Sequence, residues 1–293
     1  MAKPAGRRSR QAQPRFRSSA QRARSAGAFV GSPRAYDDAR PGYPGEVLDL
    51  LSGRQVVLDV GAGTGKLAAP LASRGHRVVG LDPSAEMAGF LRGSAGIPAV
   101  RARAEALPLA DASVDAAACA QTWHWLQHPP PRPAAGPAGG ARRGGAGEAA
   151  AGAERGPWPG HPAACRELDR VVRPGGVVVL AWNTIDVADP WVLRLARIMH
   201  SGDVLAEGFV PKTAGPWRVA ETLRLRWAQE KTFADLVELT RTRSYWLRSG
   251  EEIRSRVESN LEWYFFEHTG LSEDEAVALP YRTDAFVLRR AAQ

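Results

Sequence analysis

Cysteine is nearly absent from the 293-residue chain, which holds only Cys119 and Cys165. Two thiols cannot build a disulfide scaffold, so a cytoplasmic setting is expected. No C-x-x-C pair is present, no metal is expected, and both cysteines read as packing residues. No apolar run approaches the ~18–20 residues that cross a bilayer, so no membrane partner is expected. Acid is missing from residues 1–35, where Lys3 and eight arginines (Arg7, Arg8, Arg10, Arg15, Arg17, Arg22, Arg24, Arg34) stand unopposed. With a net charge of +8 for the whole chain, these nine cations leave −1 for the remainder. The basicity therefore belongs to a disordered tail, and nucleic acid is not the expected partner of the folded part. An organellar transit peptide, or an arm touching RNA or an anionic surface, are the other readings of that tail.

Large apolar side chains are missing once more, between residues 129 and 160. Gly, Pro and Ala fill 25 of these 32 positions, with no Leu, Ile, Val or Phe. Such a stretch has nothing with which to build a core and reads as a disordered insertion. Joining His128 to Pro162 restores an uninterrupted strand–loop–helix unit. Hydrophobic residues still make up 44% of the chain, ample for a buried core elsewhere.

What is present centres on Val57-Leu58-Asp59-Val60-Gly61-Ala62-Gly63-Thr64-Gly65. A short buried strand runs into a turn with glycine at every second position, and a helical pattern follows over Leu67–Ser73. Glycine permits positive φ and lets a ligand lie against the backbone, while the helix start offers free N–H groups. The spacing is G-x-G-x-G, with Lys66 where a dinucleotide fold wants its third glycine. The four-residue spacer of a phosphate-binding Walker loop is also missing. With Asp59 two positions ahead, the D-x-G-x-G-x-G form resembles motif I of the class I S-adenosylmethionine-dependent methyltransferases.

Later segments extend this resemblance over residues 36–183, the insertion excepted. Arg77–Asp82 reads as a second strand ending in an acid, 23 positions after Asp59, near the offset at which a carboxylate reaches a ribose. Pro83 follows, Ser84 is a natural N-cap, and Met87 offers adenine an apolar surface. The expected third strand is Ala99–Ala104, with Ala104 and Glu105 at the adenine edge by resemblance. Val114–Ala120 is a small-residue central strand running into Gln121-Thr122-Trp123-His124-Trp125. Kept extended, that stretch would turn Gln121, Trp123 and Trp125 to one side. Trp123 would then face the sulfonium, and His124 would either accept a substrate proton or simply pack. Ahead of the fold, Tyr36 and Arg40 either close over the cofactor's methionine end, as the resemblance implies, or cap the first helix.

The segment from Ala164 to Asn183 (a helix, a stop at Arg173–Gly176, a fifth strand over Val177–Asn183) is similar to that of the type 11 group. This group includes the ubiquinone-biosynthesis and trans-aconitate methyltransferases. Ser244-Tyr245-Trp246 and Pro280-Tyr281-Arg282-Thr283 resemble C-terminal segments of uncharacterised members. Helices are expected over Pro190–His200, Leu236–Thr240 and Glu251–Phe265, with capping-box starts at Thr232–Asp235 and Ser272–Glu275. A last strand at Ala285–Leu288 should pair with one near Arg226–Phe233. Arg241, Arg243, Arg248 and Arg282 either receive an anionic acceptor or lie on an exposed helix face.

The expected architecture is α/β, a doubly wound, mostly parallel seven-stranded sheet with a helical C-terminal cap. Residues 1–35 form the tail, 36–184 the core and 185–293 the cap and last strands. The resemblance implies S-adenosyl-L-methionine as cofactor, held by Tyr36, Arg40, Asp59, Gly61, Ala62, Gly63, Thr64, Gly65, Asp82, Pro83, Met87, Ala104, Glu105, Gln121, Thr122 and Trp123. A small-molecule methyl acceptor is the expected partner. An RNA or protein methyltransferase recruited by the tail, or a cofactor-binding protein without activity, are the alternatives. The Asn/Asp-Pro-Pro-aromatic tetrad of amino-group methylases acting on nucleic acid does not follow the fourth strand.

Overall fold

A computed structural model describes residues 32–126, 161–201 and 205–291. The basic tail up to Gly31, the segment 127–160 and the junction between His128 and Pro162 lie outside the described residues. Helix α1 (Pro33–Ala39) begins earlier than expected, because Ser32 accepts the Ala35 N–H and Pro33 presets the first turn. Helix α2 (Gly45–Asp49) follows, and then the sheet begins.

Strands β1 (Val56–Val60), β2 (Arg77–Asp82), β3 (Ala99–Arg101), β4 (Val114–Ala120) and β5 (Val172–Ile185) pair in parallel. Helices α3 (Ala68–Ser73), α4 (Ala85–Ala95) and α5 (Pro162–Val171) connect them. The C-terminal region adds α6 (Pro190–Ile198), β6 (Trp217–Lys231), α7 (Phe233–Arg241), α8 (Ser244–Arg248), α9 (Glu251–Glu262), a π turn at Trp263–His268 and β7 (Val277–Arg290). Strand order is β3-β2-β1-β4-β5-β7-β6, with β7 antiparallel to both neighbours. The chain runs outward from β1 to β3, then crosses back to place β4 on the other side of β1. That reversal opens a crevice beyond the carboxyl ends of β1 and β4, where ligands of open α/β sheets bind.

Burial on both faces explains the continuous apolar runs of the central strands. One face (Leu58, Ala117, Val178 and Leu180) packs on α5, and the other (Val57, Ala116, Ala118 and Val179) on α2, α3 and α4. Close approach is built in at Leu91 of α4, which projects into a gap left by two glycines. A Cβ on Gly65 would sit 2.5 Å from its Cδ1, and one on Gly80 would sit 2.4 Å from its Cδ2. A third cluster joins Leu195, Leu236, Leu239, Val257, Leu261 and Phe265 of the cap to Leu279 and Tyr281 of β7.

Several boundaries differ from expectation for physical reasons. The third strand stops at Arg101, because Arg103 bridges back to Ala106 in a tight turn. Arg173–Gly176 is a bulge inside β5: Val172 pairs with Val114, and the next pair is Val177 with Ala116. The strand expected near Arg226–Phe233 runs from Trp217 to Lys231, because Thr232 caps α7 with a full capping box and ends it there. At Ser272 the same motif makes its side-chain bonds, Glu275 accepting both the amide and the hydroxyl, yet no helix follows. Gly270 at φ 75° and the early start of β7 leave no room for one.

Candidate functional site

The glycine turn after β1 is shaped by backbone donors and one acid. Gly61 and Ala62 both donate to the Leu81 carbonyl (2.7 and 2.9 Å), which ties the turn to β2. Gly63 donates to Oδ2 of Asp82 at 3.0 Å, and Ser84 donates to Oδ1 at 2.8 Å. Asp82 therefore clamps the turn to the start of α4. Burial raises its pKa, and these two amides oppose the rise. Gly61 at φ 73° faces the end of β4, where a Cβ would lie 2.3–2.7 Å from the Thr122 side chain. The Thr122 hydroxyl is shared between the carbonyls of Gly61 (3.2 Å) and Ala120 (3.1 Å).

These elements floor a cavity of about 590 Å³ at the switch point, within the roughly 300–1,000 Å³ usual for small-molecule sites. Of the residues singled out in the sequence, Tyr36, Arg40, Asp59, Gly61, Ala62, Gly63, Thr64, Asp82, Pro83, Met87, Ala104, Glu105, Gln121 and Thr122 all line it. Asp59 is 1% exposed, and neither of its oxygens accepts a hydrogen bond of normal geometry. Burial pushes its pKa up to about 7, helped by the charge of Asp82 and opposed by the Ala68 amide. The Thr64 hydroxyl is likewise buried without a partner.

Three of the expected residues do not line the cavity. Gly65 faces Leu91 of α4, where a Cβ would leave no room for that side chain. The stretch after β4 does not stay extended: Gln121 takes φ 55°, and Trp123–Trp125 forms a single 3₁₀ turn in which Trp125 donates to Thr122 O. Trp123 is thereby driven into the core at 1% exposure. Its indole N–H donates to the Lys212 carbonyl at 3.2 Å, and its ring meets the edge of His161 at 5.2 Å. His124 also points away from the cavity, and its Nδ1 accepts from the Trp182 indole at 3.1 Å. Trp125 and Leu126 line the cavity in their place.

The opposite wall comes from the C-terminal region. Asn183, Ile185, Ser201, Leu239, Arg243 and Tyr281 line it, joined by Tyr43 from the α1–α2 linker. Asn183 is held from three sides: Gln121 donates to its carbonyl, Thr283 to its Oδ1, and its own amide donates to Gly42 O. Arg40 spans the roof, with Nε to Thr242 Oγ1 (2.9 Å) and Nη2 to Thr242 O (3.1 Å), while its guanidinium lies 5.3 Å from the Tyr36 ring centre. The four candidate arginines separate cleanly. Arg241 pairs with Glu238 and Glu258, Arg248 bonds its own helix, and Arg282 is buried against Asp284. Arg243 alone of the four lines the cavity.

Cofactor fit can be judged from these groups. A buried carboxylate with a pKa of about 7 and no hydrogen bond of normal geometry is complementary to an ammonium, and a glycine turn with no room for a Cβ at Gly61 suits close backbone approach. Asp82 on the rim is placed for hydroxyl donors. An amino-acid-bearing nucleoside such as S-adenosylmethionine fits this donor and acceptor set. No group of three or more His, Cys, Asp or Glu is arranged to hold a metal among the described residues, nor is any helix there long and apolar enough to cross a membrane.

Known proteins agree with this geometry. The family described as methyltransferase domain matches residues 58–135, from β1 past the end of β4. A solved structure from Anaeromyxobacter dehalogenans, assigned as a type II methyltransferase, shares the fold with a TM-score of 0.59 at 20% identity, covering 87% of this chain and 99% of that one. An uncharacterized methyltransferase-like protein of Schizosaccharomyces pombe is 27% identical over 86% of this chain and 91% of its own length. An uncharacterized methyltransferase of Mycobacterium tuberculosis is 34% identical over 88% of this chain and 93% of its own length. Identity sustained from the first sheet strands through the cap places the chain in that family: it belongs to the class I S-adenosylmethionine-dependent methyltransferases.

Proposed function

We propose that the protein transfers the methyl group of S-adenosylmethionine to a small organic acceptor bound between the glycine turn and the C-terminal wall. The observation that carries this reading is Asp59, a buried carboxylate whose oxygens accept no hydrogen bond of normal geometry, on the floor of the cavity. S-adenosylmethionine, when bound, supplies an electrophilic methyl on a sulfonium sulfur that a nucleophile displaces in line.

The chain's own residues then divide the work. Asp59 holds the ammonium of the amino-acid end, where the turn amides leave it uncompensated. Asp82, fixed by Gly63 and Ser84, keeps acceptor capacity for ribose hydroxyls. Ala104 and Glu105 would border the adenine, and Pro83 and Met87 would offer it an apolar surface. Tyr36 and the Arg40–Thr242 tie hold α1 over the opening and exclude water from the reacting centre. A cavity of about 590 Å³ roofed by α1 and α7 favours a small acceptor over an RNA or protein chain.

The test is a melting curve followed by a transfer assay. S-adenosylhomocysteine should raise the melting temperature by mass action, NAD should not, and Asp82→Ala should abolish most of the shift. Tritiated methyl should then reach a metabolite fraction rather than RNA or protein. NAD binding without S-adenosylhomocysteine binding would refute the reading.

A further inference from the structure

The C-terminal wall holds a group that cofactor binding does not explain. Tyr281 lines the cavity at 3% exposure, and its hydroxyl is buried with no hydrogen-bond partner. Leaving a buried hydroxyl unmet costs stability, so such a group at a cavity wall marks where a ligand atom completes it. The ring has little freedom to turn away. On β7, Tyr281 is paired with Ile185 of β5 on one side and Trp227 of β6 on the other. The Trp227 indole stacks on it at 4.9 Å and 20°, itself fixed by an N–H bond to Thr283.

The electrostatics around that hydroxyl have one sign. Arg243, 5% exposed and lining the same wall, is steadied through Nη1 by Ser201 Oγ at 2.9 Å. Burial raises the Tyr281 pKa, and the charges of Arg243 and Arg40 are the two influences that oppose the rise. The acids on the cavity (Asp59, Asp82, Glu86 and Glu105) all come from the β1–β3 side. Among the described residues of the C-terminal wall, Arg243 is the charged side chain. The cofactor half of the cavity thus mixes these acids with Lys66, Arg101 and Arg103, whereas the C-terminal wall sets a guanidinium beside a phenol donor with no acid among its described lining residues.

Resting on the methyltransferase reading above, we infer that Tyr281 and Arg243 form the acceptor subsite and that the acceptor is an organic monocarboxylate or dicarboxylate, one carboxylate of which is bound there. A planar two-oxygen anion matches one guanidinium and one phenol O–H. A neutral acceptor would leave the phenol beside two cations without an oxyanion to receive its proton. Ile185 and Leu239 give the carbon skeleton an apolar bed on the same wall.

The test uses the full chain saturated with S-adenosylhomocysteine. Benzoate, hexanoate and succinate are titrated by calorimetry beside benzamide, hexanamide and succinamide. At least one carboxylate should bind while its amide does not. Tyr281→Phe, which keeps the stacked ring, should weaken that carboxylate about tenfold or more, the cost of a lost bond to a charged group. The affinity for S-adenosylhomocysteine should stay within about twofold, because this wall lies away from the glycine turn. The inference is overturned if no carboxylate binds, if the amides bind as well, or if Tyr281→Phe leaves carboxylate affinity unchanged. Failure of S-adenosylhomocysteine to bind at all would instead remove the methyltransferase reading, and this inference with it.

Discussion

Asp59→Asn should make the ligand-free protein more stable above neutral pH while making it a poorer cofactor binder. In the folded state the Asp59 pKa stands at about 7 against an ordinary 3.8, because burial and the neighbouring Asp82 charge outweigh the opposing Ala68 amide. Between those two values the unfolded chain has released the proton and the folded chain still holds it. Stability therefore falls as pH rises through this window and levels off above about 7. At about 1.36 kcal/mol per pH unit, the full loss is on the order of 4 kcal/mol. Asparagine does not ionise, and its neutral amide resembles the protonated acid in burial. Wild type and Asp59→Asn should accordingly melt alike near pH 4 and diverge progressively from there to pH 8. At about 2–4 °C per kcal/mol for a domain of this size, the gap at pH 8 should be on the order of 10 °C. His200 titrates alike in both proteins, and Asp82 is coupled to Asp59, so the difference curve reports position 59 together with that coupling. Differential scanning calorimetry across pH 4–9 measures it. In parallel, S-adenosylhomocysteine affinity should fall about tenfold or more in the variant and should rise with pH through about 7 in the wild type. Parallel melting curves at every pH would refute the reasoning, since they would mean that the carboxylate is solvated or paired.

Other substitutions probe the remaining parts. Gly61→Ala adds a Cβ 2.3–2.7 Å from Thr122 at φ 73°, so chemical denaturation should show a loss of about 2–4 kcal/mol, with cofactor binding lost in step. Trp123→Phe removes a buried indole and its bond to Lys212. It should cost about 1–3 kcal/mol of stability while changing the affinities for S-adenosylmethionine and S-adenosylhomocysteine equally, and a selective loss of the former would restore a sulfonium contact. Arg40→Ala breaks the tie to Thr242 and should speed S-adenosylhomocysteine release in stopped-flow measurements by about fivefold or more, with the melting temperature shifted by only a few degrees.

The parts of this fold that sequence makes legible are those whose cause is local. Val57–Val60 and Val177–Asn183 are strands because both faces are buried, and the glycine turn and Asp82 sit at fixed offsets along one βαβ unit. Fourteen cavity-lining residues follow from that unit together with what the family resemblance implies for its neighbours. The stretch from Gln121 to Trp125 misleads because its conformation is set by Thr122 resting on Gly61, a contact between segments 61 residues apart. Strand β6 carried a readable signal that a shorter window misses. Trp217, Val219, Leu223, Leu225 and Trp227 turn inward as exposed residues alternate with them, shifted once by the bulge between Val219 and Glu221. Tyr281 was marked only by the resemblance of its segment to uncharacterised family members, because its place on the cavity comes from registers with Ile185 and Trp227.

The Arg40–Thr242 tie joins positions 202 residues apart, and this has a consequence for how the molecule forms and breathes. A contact of such sequence separation cannot repay its loop-closure entropy until both halves of the sheet have already been assembled. It rests on two part-buried side-chain bonds, whereas β1 and β4 are secured by a backbone ladder in the core. The roof is thus the last region to become native and the first to open below the global unfolding energy. Amide exchange should be fastest around α1 and the turn after α7 and slowest in β1 and β4. Ligand entry then proceeds through partial unfolding of the roof over a floor that remains native.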